Sequence, residues 1–559
     1  MPTLAGILLD HFDSHPERTC IHLLSAGRDD VPVSYRNLVT HSAAYADLYT
    51  RRGFQPGDVV VLILEHGEPL IHSFYGAILA GMIPSIMPFL TEKLSPERYR
   101  ADLASLISVT QPAAVLTYPE FEAEVRNAIG AEGSVRAILL TSEVGDTGSV
   151  DVRQWAGLSS SPEAITLLQH SSGTTGLQKG VALSHTAILN QLSAYRSAIE
   201  LKPEDVIVSW LPLYHDMGLI AGFIMPIMEG VPLVLMSPFD WVRAPQRLLQ
   251  AVSAYKGTLS WLPNFAYNFC AQKIRDRHLE GVDLSTWRAI INCSEPVRHE
   301  SHLQFYEKFK GYGLKLEALH TSYAMAENVF GVTQSDIRTG PAVDEIDREG
   351  FLHEHAARPA VDGKPSLRMM SSGRPLSNTS LRILDEHGRD VPGRQIGEIA
   401  LSSNSMLTEY YHRPDATSKA FRDGWYLTGD YGYIAEGELY VTGRKKDMII
   451  VGGKNVYPQD IESLVGQVAG IHAGRVVAFG VFDEAQGTEE VVVIAETEAQ
   501  DADEIRRIAD VVRAHVTQNS AVALRIIHLV GPKWLLKTSS GKIARSANKE
   551  KFLQETGRQ

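Results

Sequence analysis

The sequence predicts an α/β fold: a large N-terminal region of layered sheets and helices, followed by a smaller α+β domain. Three features carry that expectation. Short β-branched runs recur, among them "VVVLIL" (59–64), "AAVLTY" (113–118), "AILL" (137–140), "VIVSWL" (206–211) and "VPLVLM" (231–236). Longer amphipathic stretches such as "RAPQRLLQAVSAY" lie between them, and this alternation is the pattern of strands buried on both faces by helices. The third feature is a change of texture at "TGRKKD", where a glycine and a run of charges interrupt the strand pattern.

In chain order, the two most apolar stretches are "YGAILAGMIPSIMPFL" and "GLIAGFIMPIMEGVPLVLM". Gly, Pro, Ser or Glu229 interrupts each before about 20 apolar residues accumulate, so both predict a helix followed by a core strand rather than a membrane span. The segment from Arg338 to Ser372 is polar, carries prolines and lacks apolar periodicity. It predicts a long excursion from the core, of the kind that is functional or disordered. From about 447, "DMIIV", "GRVVAFGVF", "EVVVIAE" and "LRIIHLV" predict strands, and "DADEIRRIADVVRAHV" predicts a helix with Ile505, Ile508, Val512 and Val516 on one face. About a hundred residues of this texture are enough for a small domain.

At 559 residues with 44% hydrophobic content, the chain can bury a large core and divide into more than one domain. A net charge of −13 argues against a nucleic-acid surface. Cys20, Cys270 and Cys293 form no CxxC pair and no zinc spacing, so free thiols in a reducing cytoplasm are expected. The start, "MPTLAGILLDHF", has no basic n-region and reaches Asp10 early, which argues against a secretory signal.

The stretch "HSSGTTGLQKGVALSH" (170–185) packs Ser171, Ser172, Thr174 and Thr175 around Gly173 and Gly176, then adds Lys179 and Gly180. Glycines let successive backbone N–H groups turn inward, hydroxyls add donors and a lysine adds a point charge, so a phosphate chain is the natural guest. A plain polar loop between a strand and a helix is the competing reading. The spacing is not that of a Walker A loop, because Lys179 precedes a glycine rather than Ser or Thr.

Further along come "LPLYHDMGL" (211–219), "TSYAMAE" (321–327), "WYLTGD" (425–430), "TGRKKDMIIVGGKNVYPQDIE" (442–462) and "KTSSGKIAR" (537–545). In this order, over nearly the whole chain, these motifs resemble the adenylate-forming superfamily of acyl-CoA synthetases, peptide-synthetase adenylation domains and luciferases. The resemblance implies attack of a carboxylate on the α-phosphate of ATP to give an acyl-adenylate and pyrophosphate, with Mg²⁺ as cofactor. It implies that Ser171–Gly176 and Lys179 hold the β- and γ-phosphates, that Glu327 holds Mg²⁺, and that Tyr323 lies against the adenine. Asp430 would accept the ribose hydroxyls, Arg444 would reach the nucleotide and His215 would line the acyl-carboxylate site. Lys542 would swing between the α-phosphate and the substrate carboxylate. Lys446 matches the superfamily hinge, which divides the chain into an N-terminal domain, 1–445, and a mobile C-terminal lid, 446–559. Ala324 stands where the family usually has glycine.

Three stretches look most like fatty acyl-AMP ligases, which load fatty acids onto acyl carrier proteins: the region 215–270, "INCSEPV" and "KNVYPQDIE". That branch commonly has two glycines before "PNFAY", where this chain has Trp261 and Leu262. The excursion 338–372 resembles an insertion of the branch that hinders use of CoA. The expected partners are therefore a fatty or other carboxylic acid and a carrier protein. Three alternatives remain: an acyl-CoA synthetase, a luciferase-like oxygenase, and a catalytically silent nucleotide-binding regulator.

Overall fold

All five β-branched runs form strands, because apolar side chains alternating above and below an extended backbone can be buried on both faces at once. The computed structural model describes residues 2–89, 96–129, 133–146, 151–170, 179–451, 454–472, 474–483, 488–520, 522, 524–538 and 542–557. Packing divides the chain into two compact units. The first comprises Met1–Pro341, Ser372–Ser380 and Ser402–Gly424; the second comprises Ala342–Ser371, Leu381–Leu401 and Trp425–Gln559. These units record packing, whereas a hinge at Lys446 concerns motion.

The first unit holds two parallel sheets. One has the strand order Ile83–Ile86, Val59–Ile63, Ala114–Thr117, Ala137–Leu140, all parallel. The other runs Leu319–Ala324, Ala289–Asn292, Leu259–Leu262, Ile207–Ser209, Leu233–Met236, Thr19–Leu24 in parallel. Antiparallel strands, Gly331–Gln334 and Val31–Ser34, flank it on either side. Both long apolar stretches turn from helix to strand as expected: Glu68–Leu79 leads to Ile83–Ile86, and Met217–Glu229 leads to Leu233–Met236. Among the described residues, no helix is long and apolar enough to cross a membrane. Cys20, Cys270 and Cys293 are all buried and none is in a disulfide; burial pushes the Cys20 thiol up to about 12.

In the second unit, strands Val476–Asp483, Thr488–Glu496 and Ile526–Val530 form a sheet under helix Ala502–Asn519. Asp501 caps that helix by accepting from the N–H groups of Asp503 and Glu504. Ile508, Val512 and Val516 are buried, while Ile505 is half-buried at the margin of the stripe.

The excursion is the main departure from the sequence-based expectation. It is neither disordered nor a bare loop. Val343–Asp347 pairs antiparallel with Ser366–Met370, and Asp347 caps the short helix Arg348–His353 by accepting from Gly350 N–H at 3.0 Å. Ile346, Phe351 and Ala357 join a buried cluster with Ile396, Tyr433, Ala435, Tyr440 and Tyr457. Asp344 adds a polar key: Arg394 donates to it at 2.9 Å and Tyr433 Oη at 2.8 Å. Phe351 is 2% exposed and its ring lies 5.6 Å from that of Tyr457. Phe351→Ala should therefore destabilise this unit by about 3–5 kcal/mol, the cost of emptying a buried aromatic site. Urea unfolding followed by circular dichroism measures it, and a loss of about 0.5 kcal/mol or less, the size of a surface change, would show the segment to be peripheral.

Candidate active site

The glycine- and hydroxyl-rich loop begins where strand Ile165–His170 ends. Residues 171–178, with Ser171, Ser172, Gly173, Thr174, Thr175 and Gly176, lie outside the described residues. Their anchors are described. His170 pairs with Gly180 across antiparallel strands, so the loop joins two strands of a hairpin. The strand-to-helix placement in the competing loop reading is thus corrected: helix His185–Ala198 starts only after strand Gly180–Ser184. His170 is held neutral at the loop's entrance, since burial lowers its imidazole to about 4, and one ring nitrogen bonds Ser85 Oγ.

Lys179, at the loop's exit, and Glu327 meet at a residue the sequence reading missed. Lys179 Nζ stands 4.3 Å from the centre of the Tyr410 ring, and Tyr410 Oη donates to Glu327 Oε1 at 2.9 Å. Tyr410 is placed by the pairing of Glu409–Tyr410 with Ala182 and Val181. A two-residue edge strand has no periodicity to betray it, so sequence offered no signal there. The turn carrying Glu327 is strained: Val329 has φ +62° and ψ −54°, a conformation a β-branched residue adopts only when its surroundings enforce it. Val329 is fully buried and its carbonyl accepts from Gln169, so the strand leading to the loop grips the turn carrying the carboxylate.

Tyr323 lies near the end of strand Leu319–Ala324, its N–H donating to Thr333 Oγ1 at 3.2 Å. His215 Nδ1 meets Asp216 Oδ1 at 2.6 Å, which fixes the ring plane and leaves Nε2 as the other functional nitrogen. Asp216 also accepts from Met217 N–H, where a wide π-helical segment, Met217–Ile224, begins. Such wide turns are frequent at functional sites. Trp261 is fixed rather than mobile bulk: its indole donates to Tyr195 Oη at 2.9 Å, and that hydroxyl donates to Gln334 Oε1.

The second unit holds the remaining predicted residues. Asp430 and Arg444 are direct partners across two antiparallel strands, and the guanidinium approaches the carboxylate to 3.6 Å. Gly429 at φ +70° and Thr428, whose Oγ1 accepts from Asp430 N–H, aim that carboxylate. Lys446 sits in the turn Lys445–Asp447. Residues 539–541 lie outside the described residues, but Lys542 does not: its N–H donates to Thr538 Oγ1 at 3.2 Å, while Thr538 N–H donates to the Lys542 carbonyl at 2.7 Å.

Arg545 closes the same motif and was given no role from sequence. Its guanidinium reaches Asp447 at 2.6 Å, Glu462 at 2.8 Å and the Ala478 carbonyl at 2.9 Å. Burial opposes its charge, but the Glu462 and Asp447 carboxylates outweigh that effect and hold its pKa above the usual arginine value. Asp447 follows Lys446 directly, so one half-buried cation ties the turn at the expected hinge to the residues that follow Lys542.

Glu327 supplies one hard carboxylate, a donor set that fits Mg²⁺ held chiefly by phosphate oxygens of a nucleotide. Among the described residues, one group has three metal-type donors, His41, Glu68 and His72, with ligand atoms within 4.8 Å of one another. Tetrahedral binding at about 2.05 Å needs separations nearer 3.3 Å, so this group is better described as helix packing, with the two imidazoles edge to face at 4.8 Å.

The AMP-binding enzyme family model matches residues 9–411. The chain belongs to that family. It is similar to long-chain-fatty-acid–AMP ligase FadD26 of Mycobacterium marinum, 29% identical over 98% of this chain and 97% of that protein. It is likewise 29% identical to the medium-chain-fatty-acid–[acyl-carrier-protein] ligase JamA of Moorena producens, over 99% of this chain and 95% of JamA. A solved structure from a study of fatty acyl-adenylate ligases of E. coli and L. pneumophila superposes with a TM-score of 0.91 at 28% identity, covering 100% of this chain and 98% of that one. The protein is an adenylate-forming ligase, and its α/β fold is that of these enzymes.

Within this ligase, Arg545→Ala leaves Asp447 and Glu462 partly buried without their shared cation. The expected loss is about 3–5 kcal/mol of second-unit stability, with Arg545→Lys intermediate because a single ammonium cannot reach both carboxylates with a planar fork. Thermal unfolding of the three proteins measures the series; an Arg545→Ala variant as stable as the parent would remove the network from the account.

Proposed function

We propose that the protein activates a fatty acid with ATP and transfers the acyl group to the phosphopantetheine thiol of an acyl carrier protein. A carboxylate oxygen attacks the α-phosphorus and pyrophosphate leaves; the thiolate then attacks the acyl carbonyl and AMP leaves. Negative charge gathers on phosphate oxygens during the first step, so placed donors and cations dominate the catalysis. Residues 171–176 and Lys179 hold the β- and γ-phosphates, and Tyr410 keeps Lys179 and Glu327 in register. Glu327 would hold Mg²⁺, which supplies charge neutralisation on the phosphates. Tyr323 faces the adenine, Asp430 accepts the ribose hydroxyls, and Arg444 beside it balances that carboxylate and reaches the nucleotide. His215 lines the site of the acyl carboxylate. Lys542 neutralises the two anions as they meet. The names of FadD26 and JamA support a fatty acid as substrate, and that of JamA supports a carrier protein as acceptor. Trp261, anchored by Tyr195, limits how deep an acyl chain can reach.

The observation that carries the choice of acceptor is the Phe351–Tyr457 contact. Phe351 precedes Lys446 and Tyr457 follows it, so rotation of 446–559 about Lys446 must break this contact. An aromatic pair of this kind is worth about 0.5–1.5 kcal/mol beyond its burial, and about 1.4 kcal/mol of bias shifts a two-state equilibrium tenfold. A carrier protein can offset the bias with interface contacts that free CoA lacks.

Two measurements test the proposal. Lys542→Ala should cut acid-dependent ATP–pyrophosphate exchange by about 10²–10³, while transfer from supplied acyl-adenylate survives better; exchange near the parent rate would remove Lys542 from adenylation. Phe351→Leu, which keeps an apolar group in the core, should raise acyl-CoA output relative to acyl-carrier output when products are quantified by mass. Efficient acyl-CoA synthesis by the unmodified enzyme would instead favour the acyl-CoA synthetase reading.

A further inference from the structure

A cavity of about 400 Å³ in the first unit is lined by Arg243, Lys273, Arg275, Arg277 and His278, and by no Asp or Glu. The chain as a whole carries a net charge of −13, so four guanidinium and ammonium groups around one hollow run against its average. Backbone geometry explains how they gather. Helix Asn264–Lys273 ends in two extended residues, Ile274 at φ −79°, ψ 122° and Arg275 at φ −95°, ψ 146°. Alternation along an extended chain sends Ile274 inward, where it is 2% exposed, and Lys273 and Arg275 outward together. The short turn Asp276–His278 then brings Arg277 round, its Nε 3.2 Å from His278 Nε2. Arg243 ends the facing helix, Pro238–Arg243.

The neighbouring acid is already engaged, since Asp276 pairs with Lys308 at 2.6 Å. The floor is apolar: Val242 is 39% exposed and Phe269 also lines the hollow. An apolar floor inside a cationic rim is the negative image of an apolar side chain ringed by carboxylates, which is how acidic protein surfaces present themselves to partners. A lone phosphate could use the cations but would gain nothing from Val242 or Phe269. The floor also continues into a run of aromatic rings that leads toward the His215 segment. The Phe269 ring lies 5.3 Å from Trp241, which stacks on Trp210 at 3.5 Å, and Trp210 opens the segment leading to His215.

The geometry points to this pocket as the docking socket for the acidic surface of the protein that presents the acceptor thiol; the assignment rests on the carrier-protein reading of the acceptor. Rim charges of this kind act on encounter and on apparent affinity more than on chemistry.

The test uses the full-length enzyme, the double variant Arg275→Glu/Arg277→Glu and the single variant Arg243→Glu, with an acidic phosphopantetheinylated acyl carrier protein and free CoA as acceptors. ATP–pyrophosphate exchange, which needs no acceptor, should stay within about twofold of the parent and reports that the fold is intact. The KM for the carrier protein should rise about tenfold or more with kcat retained, and its dependence on salt should flatten. CoA kinetics should not move. An unchanged carrier KM, in an enzyme whose parent does load the carrier, overturns the socket and leaves the proposed function standing. A parallel rise in the KM for CoA also overturns it, because the pocket would then be reading phosphate. A parent enzyme that loads no carrier at all overturns the acceptor reading, and the socket with it.

Discussion

A two-residue strand sets the geometry on which the N-terminal half of the site depends. Glu409 and Tyr410 pair with Ala182 and Val181 immediately after the glycine-rich loop. That pairing delivers a phenol to the point where the ammonium of Lys179 can lie over its face and the carboxylate of Glu327 can accept its proton. A cation on the ring and an anion on the hydroxyl polarise the same side chain in the same sense, so the three groups stabilise one another without a direct ion pair. Tyr410 is 3% exposed, which strengthens both interactions by excluding water. The strained Val329, gripped by Gln169, keeps Glu327 at the other end of this arrangement.

The second unit relies on a different device. Arg545 bridges Asp447, Glu462 and the Ala478 carbonyl. Two carboxylates against one guanidinium leave the network net anionic, and the five donors of the fork let it serve all three acceptors together. The excursion adds cohesion of another kind, with Phe351 and Ile346 in an aromatic-rich cluster and Asp344 tied to Arg394 and Tyr433. Polar ties fix where the segment sits and apolar burial supplies most of the stabilisation, which is the usual division of labour in a small core.

The parallel sheets were legible in the sequence because strands covered on both faces leave an uninterrupted apolar signature, as in Val59–Ile63 and Leu233–Met236. Helix Ala502–Asn519 was legible for the matching reason: one buried stripe at helical spacing with an acidic cap before it. The excursion was not. Its strands bury little, Val343–Asp347 contributing only Ile346 to the interior. A hairpin stabilised by a few anchors has no periodicity to read, and its polar residues resemble those of a loop.

The sequence by itself nominated the candidate groups, since Lys179, Glu327, Asp430 and Lys542 stand in the ordered motifs that carry the family resemblance. It also placed the buried strands and the helix Ala502–Asn519, because burial periodicity is a local property of the chain. Tertiary structure alone decided what surrounds those groups. Tyr410 lies 83 residues from Glu327, Arg545 lies 98 from Asp447 and 83 from Glu462. Phe351 meets Tyr457 across a separation that includes two segments of the first unit, Ser372–Ser380 and Ser402–Gly424. Pairings at such separations are set by which faces of distant elements can be buried together, a condition that no window of sequence contains.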